Sequence, residues 1–266
     1  MLDLDAYLER LGVSRDAGFA ELHRAHVCAI PFENLDPHQG LPVSLAPADI
    51  ERKLVAKRRG GYCFEHNLLF KAALEAQGAV VEPLLGRARW GIPPETVNPL
   101  THLVLRVTVD GEVWLADVGF GMGTLLEPIP FQPGGAYEQS GWQFRLIAED
   151  ADLVLQTDTA EGWRDMYVFH SRAVQPVDIE VSNWFVSTRP ESRFVTGLIA
   201  ATTLGDGTRL ALSDWNGELT LSRRRPDGHE LTPVDQASVP ALLAEYFDLT
   251  AFELDGDGRV ARIRSA

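Results

Sequence analysis

The chain of 266 residues has little cysteine, only Cys28 and Cys63. A disulfide framework needs more than that, so both thiols are expected to be reduced, as in the cytosol. It is also short of positive charge. Its 24 lysines and arginines stand against 38 aspartates and glutamates, a net charge of −14. That balance excludes a general binder of nucleic acid or of anionic membrane. No run reaches the unbroken apolar length of a membrane span. The opening MLDLDAYLER is acidic and amphipathic, without the basic-then-apolar order of a signal peptide. Internal repeats and low-complexity linkers are missing too. The expectation left by these absences is a soluble, cytoplasmic globular protein.

What is present is enough apolar residue, 45% of the chain, to bury a core. Residues 1–80 carry apolar residues at three- and four-residue spacings, which predicts helices over 3–11, 16–28, 48–58 and 63–77, the last closed by Gly78. From about Val80 the period moves towards two. VVEPLLGRARW, THLVLRVTV, EVWLADVGF, WQFRLIA, ADLVLQTD and WRDMYVF read as strands, close enough together for a barrel or a sandwich. A helix is expected over 176–187. FVTGLIAATTL, TRLALSD and GELTLSR then read as strands, before a terminal helix near 238–247. Helices, then strands, then a mixed segment make the chain α+β rather than doubly wound.

RRGGYCFEHN places Cys63 behind two glycines and at the start of a helical pattern. Glycine permits close approach of another segment. Unpaired N–H groups and the helix dipole at such an end favour an anion, and Lys57, Arg58 and Arg59 add positive potential just upstream. A thiolate is therefore favoured there. The same N–H groups suit an oxyanion in acyl transfer. On its own, such a cysteine is more often a small buried hydrophobe. Cys28, inside a helical run with no glycine turn behind it, reads as core.

THLVLRVTVDGEVWLADVGF reads as a hairpin turning at Asp110-Gly111, the dipeptide favoured in type I′ turns. That register sets His102 opposite Gly119 and Val104 opposite Asp117. His102 and Asp117 then share one face, a diagonal step apart. Gly119 leaves the imidazole room to move. A carboxylate on one imidazole nitrogen fixes the tautomer and frees the other nitrogen to take a proton from a nucleophile. A plain histidine–carboxylate pair supporting a sheet fits these two residues equally well. His66, one turn after Cys63, is a rival base. No histidine or cysteine spacing makes a metal motif.

IPFENLD at 30–36, RRGGYCFEHN at 58–67, THLVL at 101–105 and LADVGFG at 115–121 together resemble the arylamine N-acetyltransferase family, in its order and approximate spacing. The likeness is dense over the first half of the chain. It implies a helical bundle at 1–80, a β-barrel at 81–187 and an α/β lid at 188–266, with a cysteine-protease-like catalytic core. It also implies that Cys63 is the nucleophile, His102 the base and Asp117 the orienting acid. The donor would be acetyl-coenzyme A, acting without a metal, and the acceptor an aromatic amine or hydrazine. Phe32 and Phe120 match positions lining the family's acceptor pocket. Gly119, Gly121 and Gly123 form a turn able to offer N–H groups to the coenzyme's pyrophosphate. Glu33 and Arg59 recur with the same motifs and are expected to pair as buried ions. Arg223-Arg224-Arg225 could meet phosphates, although a basic run near a turn is usually solvated.

Three rivals share these residues. A transglutaminase-like cysteine hydrolase uses a similar triad, but IPFEN and VGFG favour the transferase. An amide synthase that closes polyketide macrolactams would use the same triad with another acyl donor. A non-catalytic binding protein would have no need of all three residues. The acceptor, the acyl length and the oligomeric state are not written in the sequence.

Overall fold

The computed structural model describes residues 2–93, 95–214, 217–256 and 260; residues 261–266, the tail of the expected third part, lie outside them. The first stretch is helical: α1 Leu4–Leu11, α2 Phe19–Ala29, α3 Leu35–His38, α4 Pro47–Glu51 and α5 Cys63–Ala76. α1 starts at Asp3, whose carboxylate accepts the Ala6 N–H at 3.0 Å, and stops at Gly12 with φ +71°. α5 stops at Gly78, φ +91°, where the Gly78 and Ala79 N–H groups close back onto the Glu75 and Leu74 carbonyls. The helix expected over 48–58 continues only as a widened turn over Arg52–Ala56, and Arg58 leaves it with φ +51°. α5 is enclosed on almost every side through its first turns. Its polar Glu65, His66 and Asn67 are as buried as Phe64 and Phe70, so each must find a partner inside.

The barrel–sandwich alternative resolves to a barrel. β2 Val80–Ala88, β3 His102–Val109, β4 Glu112–Ala116, β5 Ile129–Pro130, β6 Tyr137–Gln139, β7 Trp142–Glu149, β8 Asp152–Thr159 and β9 Gly162–His170 form one antiparallel sheet in the order β5-β4-β3-β2-β9-β8-β7-β6. Inward residues from most of these strands meet in a single cluster: Leu84, Val104, Leu115, Ile129, Phe144, Leu155 and Tyr167. Only a sheet curled nearly shut brings them together. Each such side chain contributes about 1.5–3 kcal/mol over its exposed state.

A second sheet holds β10 Ile199–Thr203, β11 Arg209–Ser213, β12 Thr220–Arg225 and β13 Gly228–Pro233. The two-residue strand Phe32–Glu33, here β1, adds itself to β10 from the N-terminal helical part. α6 Pro176–Thr188 and α7 Arg193–Thr196 precede this sheet, and α8 Val239–Phe247 packs on one face of it. The strand expected from Phe194 begins instead as α7. Asn34 decides this from 160 residues away, donating to the Phe194 and Gly197 carbonyls and accepting the Ile199 N–H. β13 runs along the sheet edge with every residue exposed, so no alternation marks it in the sequence.

Candidate active site

Cys63 opens α5, as its spacing predicts, and is 4% exposed. The glycines behind it are required by close packing. A Cβ on Gly60 would lie 2.1 Å from the Pro31 carbonyl oxygen, and one on Gly61 2.6 Å from Glu65 Oε2. At Gly60 the segment that approaches is the IPFEN loop, at Gly61 it is the Glu65 side chain of α5, and the Glu33 N–H donates to the Gly61 carbonyl at 2.7 Å.

The hairpin turns at Asp110 and Gly111, both with positive φ, and the register follows Val109↔Glu112 as far as Leu105↔Ala116. The ladder stops there, so neither His102–Gly119 nor Val104–Asp117 is a strand pair. Asp117 lies just past the end of β4, and its Oδ2 is nevertheless 2.8 Å from His102 Nε2. Gly119 does not make room for the imidazole. A Cβ there would lie 2.8 Å from Cys63 Cα and 2.9 Å from Asn67 Nδ2. With Nε2 taken by Asp117, Nδ1 is the ring nitrogen left for proton exchange with Cys63. The Cys63 Sγ also lies 3.6 Å from the Thr101 carbonyl oxygen, one residue before His102.

Asp117 is fully buried and fully partnered. Oδ1 accepts from Asn67 Nδ2 at 3.1 Å and from the Gly119 N–H at 2.9 Å. Its carbonyl accepts the Thr124 hydroxyl at 2.8 Å. Its own N–H donates to His23 Nε2 at 3.2 Å, while His23 Nδ1 donates to the Leu126 carbonyl. Burial opposes ionisation, yet the His102 charge and these donors hold the carboxyl below its usual range. His102 shows the converse. Burial alone lowers an imidazole, but Asp117 and Cys63 push it up to about 10.

Asn67, His23 and Tyr167 escaped the sequence reading. Asn67 carried a signal, since it lies four residues after Cys63 on the same helix face. It also bonds the Leu103 carbonyl and the Val118 N–H, tying α5 to both sides of the hairpin. Tyr167 comes from β9, and its ring centroid is 4.7 Å from that of His102. Burial and the nearby Asp117 keep its phenol protonated.

His66 is not placed to act as the base. Its Nε2 is 3.1 Å from the Pro31 carbonyl oxygen and its Nδ1 2.9 Å from His26 Nε2, while His26 Nδ1 is 2.7 Å from the Tyr7 hydroxyl. A carbonyl only accepts, so every proton in this chain points from Tyr7 towards Pro31. Burial, with the Lys53 charge adding to it, lowers His66 to about 4, and no carboxylate touches the ring to offset it.

Phe32 and Phe120 fall in different surroundings. Phe32 shares an apolar cluster with Cys63, its ring stacked 6.3 Å from His66. Phe120 lies edge-on to His102 at 5.0 Å. Gly121, φ +79°, backs onto the Phe32 ring, and a Cβ on Gly123 would meet Met166. The Gly119 N–H is committed to Asp117, which removes it from the set able to face a pyrophosphate.

Arg59 grips Glu33 Oε1 through Nε and one terminal nitrogen, at 2.9 and 2.7 Å, and also reaches Asp36 at 2.9 Å. Lys53 joins Asp36 to Glu65. A surface pocket of about 360 Å³ opens on this network, lined mostly by charged residues and by neither Cys63 nor His102. Among the described residues no group of three His, Cys, Asp or Glu could hold a metal ion.

A family model described as N-acetyltransferase matches residues 17–254. The arylamine N-acetyltransferase / N-hydroxyarylamine O-acetyltransferase of Salmonella typhimurium is 38% identical over 244 residues, covering 90% of this chain and 85% of that one. The arylamine N-acetyltransferase of Mycobacterium tuberculosis is 35% identical, covering 97% and 93%. The solved structure of the Mycobacterium marinum arylamine N-acetyltransferase in complex with CoA superposes with a TM-score of 0.91 at 37% identity, covering 98% of each chain.

Proposed function

The chain belongs to the arylamine N-acetyltransferase family, an acyltransferase family, and we propose that it carries acetyl from acetyl-coenzyme A to an aromatic amine or hydrazine through a thioester on Cys63. The observation that carries this reading is the buried His102–Asp117 pair, with Nε2 2.8 Å from Oδ2, beside a buried cysteine that opens α5 and lies 3.6 Å from the carbonyl preceding His102.

His102 takes the Cys63 proton, and Asp117 stabilises the imidazolium. The thiolate attacks the thioester carbonyl. The N–H groups opening α5 favour the negative oxygen of the tetrahedral intermediate. That intermediate expels coenzyme A as a thiolate, which the imidazolium protonates, and leaves acetyl on Cys63. A thioester has been exchanged for a thioester, so this half is close to balanced in energy. The amine then attacks the acetyl carbonyl, His102 accepts its proton, and Cys63 is released. The two halves never need both substrates together.

The coenzyme complex of the Mycobacterium marinum relative supports the donor. The Salmonella typhimurium relative is named for transfer to both nitrogen and oxygen, and one thioester serves either acceptor. In this reading Phe32 and Phe120 border the acceptor, and Gly121 and Gly123 remain candidates for coenzyme contact. The division at 1–80, 81–187 and 188–266 belongs to the same reading. So does a cytoplasmic location; among the described residues no helix is long and apolar enough to cross a membrane.

Intact mass after mixing with acetyl-coenzyme A tests the reading. Wild type should gain one acetyl group, stable until an aromatic amine removes it, and Cys63→Ser should gain none. Rapid loss of the acetyl group to water without amine would point to a hydrolase. Intersecting rather than parallel double-reciprocal lines would remove the two-step transfer.

A further inference from the structure

The β3–β4 ladder ends at Leu105↔Ala116, and the chain just beyond it carries the proposed acid. From Asp117 to Leu126 it runs as a loop with glycine at 119, 121 and 123, and Gly121 has φ +79°. Glycine opens many other conformations to such a loop. No strand neighbour holds its first residues. Side chains hold them instead. Asn67 Oδ1 accepts the Val118 N–H, and the Thr124 hydroxyl donates to the Asp117 carbonyl. The Asp117 N–H donates to His23 Nε2, which comes from α2 and lies 94 residues away in the chain.

His23 also bonds the far end of the loop. Its Nδ1 is 3.1 Å from the Leu126 carbonyl oxygen. A carbonyl only accepts and a backbone N–H only donates, so Nδ1 carries the proton and Nε2 the lone pair. One ring therefore spans Asp117 and Leu126. It does so only while neutral, because an imidazolium has no lone pair to offer.

The surroundings keep it neutral. His23 is fully buried, with the Phe70 ring of α5 edge-on at 5.4 Å. The charged and titratable groups near it are the Asp117 carboxylate, Arg24, which is paired with Glu127, and His26 one turn along α2. Burial outweighs the pull of the Leu126 carbonyl and of the Asp117 charge, and lowers His23 to about 4.

What the ring holds is the part of the loop that faces His102. Asp117 Oδ2 meets that imidazole, and Phe120 lies edge-on to it. Without the clasp the Asp117 N–H loses its partner in a buried place, and the loop is free to shift. A displacement of about 1 Å near a reacting group costs about 10²-fold in rate.

Resting on the triad reading above, we propose that His23 is a positioning residue for acyl transfer, a neutral clasp that joins both ends of the 117–126 loop and so keeps the Asp117 carboxylate on His102. It acts through Asp117 and takes no part in the chemistry.

The test uses two amides of different reach. In His23→Gln the amide oxygen can accept the Asp117 N–H while its nitrogen donates to the Leu126 carbonyl. The shorter His23→Asn keeps a donor near Leu126 and loses the acceptor for Asp117. Alkylation of Cys63 by iodoacetamide, followed by peptide mass across pH and without any acyl donor, reads the triad directly. Wild type should stay reactive far below the ordinary thiol range of about 8.5. His23→Asn should move the half-maximal pH up by at least about one unit and lower kcat/KM for acetyl transfer at least about tenfold. His23→Gln should restore most of both. Wild-type behaviour in His23→Asn, or a Gln variant no better than the Asn variant, overturns the clasp. The ¹⁵N spectrum of the wild-type histidines decides even if neither variant folds: His23 should be neutral at pH 7 with its proton on Nδ1, and the other tautomer or a charged ring overturns the proposal. Should wild-type Cys63 alkylate like an ordinary thiol, the triad reading fails instead, and the tautomer still shows whether His23 bridges the loop.

Discussion

On one side of α5, His102 is buried beside Asp117 and held up to about 10. On the other side, His66 is buried beside His26 and the Pro31 carbonyl and pressed down to about 4. Both rings are out of water and both belong to motifs around the same cysteine. The main difference is that a carboxylate touches His102 and none touches His66. Burial disfavours the imidazolium in each case, and only an adjacent negative charge reverses the sign. A charged ring can exchange protons with a sulfur. A neutral ring locked between two partners is a strut. Nearness to Cys63 along the chain therefore points to a histidine with no carboxylate partner, and the proposed base is the one that has such a partner.

The largest expected break in this contrast is Asp117→Asn. Removing the carboxylate leaves His102 in surroundings like those of His66, and acetyl transfer should fall by about four orders of magnitude. A fall of less than tenfold would show that the carboxylate does not set the imidazole's state. His66→Gln should leave transfer within about tenfold of wild type while lowering the melting temperature. A collapse in rate with unchanged melting would return His66 to the mechanism.

Next in size is the ion pair shared by the IPFEN loop and the cysteine turn. Glu33→Ala or Arg59→Ala strands a buried charge and should cost about 3–5 kcal/mol in chemical denaturation. Near-wild-type unfolding in both variants would show the network to be slack.

The smallest effect is the shape of the stability curve with pH. His102 has a folded value of about 10 against an ordinary 6.5, so its contribution is complete below about 6.5 and is lost as pH rises through 10. His66, at about 4 folded, contributes fully above 6.5 and loses that contribution as pH falls towards 4. His66→Gln should flatten the acid limb of the curve, and Asp117→Asn the alkaline limb. Titration of unfolding free energy across both limbs checks this; identical acid limbs in wild type and His66→Gln would show that His66 is already charged in the fold.

Much of the fold was legible because local signals were strong. Gly12 and Gly78 end helices where only a positive φ will serve, and Asp110-Gly111 fixes a hairpin whose register then follows by counting. The α7 turn was not legible, because Asn34 holds it from 160 residues away. β13 was not, because an edge strand in water needs no alternation.

The sequence by itself determined that Cys63 begins a helix and that His102 and Asp117 arrive on the two arms of one hairpin, since periodicity and turn chemistry act over a few residues. Only the tertiary structure decided the rest. It took Asp117 off the end of its ladder, gave Gly119 to Cys63 rather than to the imidazole, and brought His23 to the Asp117 N–H, Asn67 to its carboxylate and Tyr167 against the His102 ring. It also turned Arg224 inward against Arg209. Those outcomes depend on which surfaces exclude water together, and that is a property of the packed whole rather than of any window of the chain.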